Sequence, residues 1–208
     1  MTRKLKALGL ALVAALAMTA FSAALASAVE YHAGAGSGSV RVQNIGEENI
    51  TVQAGTWKCK VSEYNGLYSS STVTTLTTKQ TYKECSVFGE ENVVIDTNGC
   101  EFRFNQPNAS LVSTVDVINC TQPMAITLID CTITIGNQTG LANVAWTNIA
   151  GSPDDLVLHK NITGLKYTQD PVGFFGCTSG TFTNGTWTGT STVRANNSGG
   201  TQVTLTVA

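Results

Sequence analysis

The chain has 208 residues, with 12 Lys and Arg against 14 Asp and Glu and a formal net charge of −2. That balance excludes the broad basic surface on which nucleic-acid binding relies, and it supplies no polybasic hook for an anionic membrane. Only 12% of the residues are charged, against a usual share of about 25%, so hydroxyl and amide groups must do most of the work of hydrating the surface.

Arg3, Lys4 and Lys6 precede an apolar run from Ala7 to Leu25 that ends on Ala26-Ser27-Ala28. This is the layout of a secretory signal peptide, a short apolar helix cleaved after Ala28. An uncleaved anchor is the alternative, because the run approaches the ~20 residues that span a bilayer. The Ala-rich run and its small-residue triplet favour cleavage. No second long apolar run follows, so no membrane span is expected after cleavage. Residues 29–38, with Gly34-Ala35-Gly36-Ser37-Gly38, read as a flexible leader. Residues 39–208 are expected to fold as one domain, with two smaller β-subdomains meeting near Gln122-Pro123 as the alternative.

Period-two alternation dominates from there. Ser39–Ile45, Asn49–Gln53 and Thr56–Val61 alternate apolar and polar residues, with glycines between them, the pattern of half-buried strands joined by tight turns. Ser70–Thr78 is dense in β-branched Thr, which suits a pleated surface better than a helix. Further strands are expected at Asn92–Asp96, Ala125–Ile135, Ala142–Asn148, Asp155–Thr163 and Gln202–Val207. In Thr181–Thr188 the dipeptide Asn184-Gly185 predicts a type I′ hairpin turn that sets Phe182 across from Trp187. The expected fold is all-β: an antiparallel β-sandwich.

The six cysteines, Cys59, Cys85, Cys100, Cys120, Cys131 and Cys177, all follow the signal peptide. They show neither the C-x-x-C spacing of a zinc or redox site nor a neighbouring histidine. Export to an oxidising medium therefore makes them three structural disulfides. Facing strands around Cys100–Phe104 and Asp116–Cys120 would set Cys100 opposite Cys120 and Phe102 opposite Ile118. Elimination and proximity then leave Cys59 with Cys85 and Cys131 with Cys177.

Catalytic chemistry has little to work with. His159 alternates onto the polar face of its strand, His32 lies in the leader, and no G-x-S-x-G elbow occurs. Asp154-Asp155 lacks the repeated carboxylates of a calcium cage, and Glu90-Glu91 and Glu101 are the remaining carboxylates considered for glycosidase chemistry. No catalytic residue, metal or cofactor is assigned.

The segments Tyr82-Lys83-Glu84-Cys85, Phe88-Gly89, Thr97-Asn98-Gly99-Cys100, Cys131–Gly136, Asn161–Thr168 and Thr183–Gly189 resemble secreted cysteine-containing β-proteins of soil actinobacteria. The resemblance spans most of the chain after the signal peptide and implies bacterial export and an all-β fold. It carries no activity and no site residue. The expected function is that of a secreted, non-catalytic extracellular or cell-envelope protein with a structural, adhesive or binding role, its partner a cell-wall or extracellular polysaccharide. A glycan-binding module that uses Trp187, Phe182 and the adjacent Phe174-Phe175 is the second reading, and a secreted hydrolase the third.

Overall fold

The computed structural model describes residues 29–208 apart from 129, 151–154 and 173–176, so the expected signal peptide lies outside the described residues. In chain order the strands are β1 (Tyr31–Ala33), β2 (Gly38–Val52), β3 (Gly55–Tyr68), β4 (Thr72–Val73), β5 (Leu76–Val87), β6 (Glu90–Val93), β7 (Ile95–Asp96) and β8 (Glu101–Phe104). They continue as β9 (Val112–Ile118), β10 (Met124–Thr127), β11 (Cys131–Ile135), β12 (Gln138–Asn148), β13 (Asp155–Pro171), β14 (Gly180–Asn197), β15 (Gln202–Val203) and β16 (Leu205–Val207).

The all-β class is as expected, but the sandwich is not. The order β14-β2-β3-β5-β8-β9-β12-β13 returns through a β13–β14 pairing and closes an eight-stranded antiparallel barrel. Two long strands cause the closure. β14 pairs with β2 on one side, from Gly38 to Thr51, and with β13 on the other, from Asp155 to Gln169. Closure removes the free edges that two stacked sheets would expose.

The Asn184-Gly185 hairpin does not form. Both residues lie within β14, and neither takes the positive φ that a type I′ turn needs. Pairing along the whole of β13 outweighs the local turn preference, so Phe182 faces Tyr167 while Trp187 faces Ile162 on β13 and Ile50 on β2.

β13 changes partner along its length. Its first half pairs with β12, while Thr168–Pro171 pair with β11, which continues through β10 to β7. β5 divides in the same way, Leu76–Lys79 against β8 and Cys85–Val87 against β6. One end of the barrel therefore carries an added wall whose Ile95, Met124, Ile126, Ile133 and Ile135 are buried. At the other end β1, expected in a flexible leader, pairs with β16 and β4. Its Tyr31 packs edge-on against Trp146 at 5.0 Å and donates a hydrogen bond to the Asn105 carbonyl.

The barrel interior is filled by side chains: one hydrophobic cluster runs from Val29 to Val207 and includes Trp57, Trp146 and Trp187. The outer wall carries the polar half of each alternation, as in β13, where Leu156, Leu158 and Ile162 point in and His159 and Asn161 point out.

The three disulfides are Cys59–Cys85, Cys100–Cys120 and Cys131–Cys177. The β8–β9 register differs by one from the expected one, placing Phe102 opposite Val117. Asn119, at φ 54°, bends the chain between β9 and Cys120.

Candidate functional site

Two polar constellations stand out, one sealed in the barrel and one open at its disulfide-bearing end. Inside, Glu48 on β2 and Lys160 on β13 are both fully buried, with Lys160 Nζ 2.9 Å from Glu48 Oε2. Glu48 Oε1 accepts from the Tyr64 hydroxyl at 2.5 Å, from Gln80 Nε2 at 2.9 Å and from the Trp187 indole N–H. Lys160 also donates to the Tyr64 oxygen at 2.6 Å and to Ser191 Oγ at 3.1 Å, and it lies 4.5 Å from the Tyr64 ring centroid.

Burial alone would raise the Glu48 carboxyl, but the Lys160 charge and the hydrogen bonds from Tyr64, Lys160 and Trp187 outweigh it and hold the group below the ordinary carboxylate range. The pair is thus an ionised, fully bonded bridge across the barrel. Its buried contacts confine its chemistry to fixing five strands, β2, β3, β5, β13 and β14, against one another.

The second constellation is a cleft of about 550 Å³, within the range of small-ligand sites. Three turns and the segment before β14 build it. Gln53 and Ala54 come from the β2–β3 turn, Phe88 and Glu90 from the β5–β6 turn, Leu128 and Asp130 from the β10–β11 turn, and Thr178 from the segment before β14. The Cys131–Cys177 disulfide lies in its wall.

Hydrogen bonds fix that wall. Gln169 accepts from the Ala54 N–H at 3.0 Å and donates to the Thr178 carbonyl at 3.1 Å, and the Tyr167 hydroxyl accepts from the Gln53 N–H at 2.9 Å. The Val172 N–H donates to the Asp130 carbonyl at 2.9 Å. Among the described residues the side chains of Gln53, Glu90 and Asp130 are exposed and enter no hydrogen bond or ion pair.

Phe88 is the unusual member. It is 78% exposed and holds φ 52° next to Gly89 at φ 85°. Val87 pairs with Glu90, so Phe88-Gly89 is a two-residue loop with the φ signs of a type I′ turn, a position that favours Asn and penalises an aromatic residue. The ring has a seat as well. A Cβ on Gly55, itself at φ 149°, would stand 2.6 Å from Phe88 Cζ, so the absence of a side chain at residue 55 leaves room for the ring.

The residues singled out in the sequence fall elsewhere. Trp187 is 2% exposed and hydrogen-bonded to Glu48 inside the barrel, so it offers no face to a ligand outside. Phe182 is half-buried and stacks on Tyr167 at 5.4 Å; it braces the hydroxyl that holds Gln53 but does not line the cleft. Phe174 and Phe175 lie outside the described residues, as does Asp154. His159 faces outward with Nδ1 3.3 Å from Thr190 Oγ1, and His32 Nδ1 lies 3.3 Å from Thr72 Oγ1. Asp155 is paired with Arg194 at 2.8 Å, and Glu101 accepts from Asn119 at 2.7 Å. Among the described residues no three His, Cys, Asp or Glu gather to hold a metal ion.

Of the carboxylates considered for glycosidase chemistry, only Glu90 lines the cleft. The Glu48–Lys160 pair and the Phe88 cleft were both missed at the sequence level. Comparison with family models, with curated proteins and with solved structures finds no match in any of the three. Function is therefore argued from the site itself.

Proposed function

We propose that this protein is exported and acts outside the cell as a non-catalytic binding module of the extracellular space or cell envelope, with the cleft at the disulfide-bearing end as its contact site. Three disulfides in a small β-protein fit an oxidising compartment. No helix among the described residues is long and apolar enough to cross a membrane. The barrel is apolar inside and polar outside, the inverse of a lipid-facing barrel.

The observation that carries the binding reading is Phe88, a large apolar side chain in an unfavourable backbone conformation at the rim of a cleft whose opposite wall is tied by Tyr167, Gln169 and Val172. Strain of this kind persists where the surrounding structure enforces it and marks functional positions. Binding groups borne on turns and positioned by a rigid scaffold follow the same logic.

The test is retention of the oxidised mature chain on isolated cell walls of a Gram-positive soil bacterium. Saturable retention with no soluble product released supports the reading. Absence of retention removes it, and steady release of wall fragments would replace it with a hydrolase.

A further inference from the structure

We infer that the Phe88 cleft binds a neutral carbohydrate, with the Phe88 ring covering the C–H face of one sugar and the side chains of Gln53, Glu90 and Asp130 bonding to its hydroxyls. The inference rests on the binding reading above and names its ligand class. A pyranose is amphipathic: its ring C–H groups are apolar and its rim is a belt of hydroxyls. The cleft has the matching division. Phe88 and Leu128 supply apolar surface, while Gln53, Glu90, Asp130 and Thr178 supply polar groups from four separate parts of the chain. The carboxylates only accept, and hydroxyl donors complete them with charge-assisted hydrogen bonds.

Other ligand classes fit less well. Among the described residues no Lys or Arg lines the cleft, so phosphate, sulfate and uronate groups would meet two carboxylates and no cation. An extended peptide docks by adding to a free strand edge, whereas the walls here are turns whose backbone groups are tied to Gln169, Tyr167 and Val172.

The ring is also held ready before any ligand arrives. The Phe88-Gly89 turn fixes the backbone that carries it, and its edge rests against Gly55. Asn98-Gly99, at φ 48° and 74°, shows the ordinary preference and closes a loop in which the Cys100 N–H donates to the Thr97 carbonyl, while Glu84 and Leu111 share positive φ with Phe88, at 52° and 57°. Phe in place of Asn at the equivalent position of the β5–β6 turn is a departure from that preference.

The experiment follows from that departure. Phe88→Asn supplies the residue the turn prefers, so its melting temperature should equal or exceed that of the parent, while retention on chitin, cellulose or peptidoglycan, whichever the parent binds, should weaken at least about tenfold. Phe88→Trp should retain binding. Unchanged retention by Phe88→Asn overturns the inference, and so does a fall in melting temperature, which would make Phe88 a structural residue. Digestion of the polysaccharide by its matching glycosidase (chitinase, cellulase or lysozyme) should abolish retention and protease treatment should not; the reverse result means a protein ligand and overturns the sugar assignment. Retention on whole cell walls with none on the three polysaccharides overturns this inference and leaves the binding reading in place, whereas no retention on either removes both.

Discussion

At the residue level the most consequential feature is a charge pair that water never touches. Taking Glu48 and Lys160 out of water costs several kcal/mol per ion, and the bonds from Tyr64, Gln80, Trp187 and Ser191 offset that cost only while both charges are present. Lys160→Met alone should therefore destabilise the fold by about 3–5 kcal/mol, because it strands a buried carboxylate. Lys160→Met combined with Glu48→Gln should recover most of that loss, since the neutral amide oxygen still accepts from Tyr64 and Trp187. Urea unfolding of the two variants checks this, and equal losses in both would refute it. The pair also sets an acid limit. The folded Glu48 carboxyl lies below its ordinary value of 4.5, so its contribution is complete above that pH and disappears as pH falls through the lower folded value. Between pH 7 and pH 3 the stability difference between the parent and Glu48→Gln should stay flat to about pH 5 and shrink below about pH 4.

At the level of the element, β14 decides whether that pair can form. Lys160 pairs with Gly189, and Glu48 on β2 reaches across β14 to it. A Cβ at Gly189 would stand 3.2 Å from Glu48 Cγ, tighter than ordinary contact. Gly189→Val, which adds two further methyl groups in the same space, should cost about 1–3 kcal/mol in thermal or urea unfolding. If Glu48 is the obstacle, pairing Gly189→Val with Glu48→Ala should cost less than the sum of the separate losses.

Part of this was readable beforehand. Lys160 follows Leu156 and Leu158 at intervals of two and precedes Ile162, and Glu48 stands in phase with Ile50 and Val52. Strict alternation put both inside, against the prior that keeps Lys and Glu at the surface. The rest was hidden by irregularity. Where the β2–β3 register shifts, between Gln43 and Glu48, the inward phase of β3 moves from Trp57 and Cys59 to Ser62 and Tyr64, and at Glu84, φ 52°, that of β5 moves from Tyr82 to Cys85; a bulge of this kind shifts every later side chain to the other face. The sandwich expectation failed for a related reason: nothing local states that β13 and β14 will pair along nearly their whole length. The cleft was illegible because its walls come from turns between residues 53 and 178, gathered only when the barrel closes.

On the scale of the whole molecule, the two barrel ends are secured by different means. The β16-β1-β4 sheet closes one end with buried side chains such as Tyr31, Leu205 and Val207. The other end, where the cleft lies, adds covalent bonds to the buried side chains of its extra wall. Cys59–Cys85 joins directly paired residues of β3 and β5 and Cys100–Cys120 joins the ends of β8 and β9, so both link chain segments already held by a ladder. Cys131–Cys177 instead ties β11 to the segment before β14. It also spans the longest interval, 46 residues against 26 and 20. In the chain-entropy account its loop is worth about 0.7 kcal/mol more than the shortest of the three. Its removal by the double substitution Cys131→Ser and Cys177→Ser should cost about 2–5 kcal/mol while the eight barrel strands stay paired. Hydrogen exchange should then speed up in β10, β11 and the turn bearing Asp130 and remain slow in β2, β3, β13 and β14. Loss of protection in all strands together would mean that the cleft end and the barrel unfold as one unit, and that this bridge holds the whole fold rather than the site.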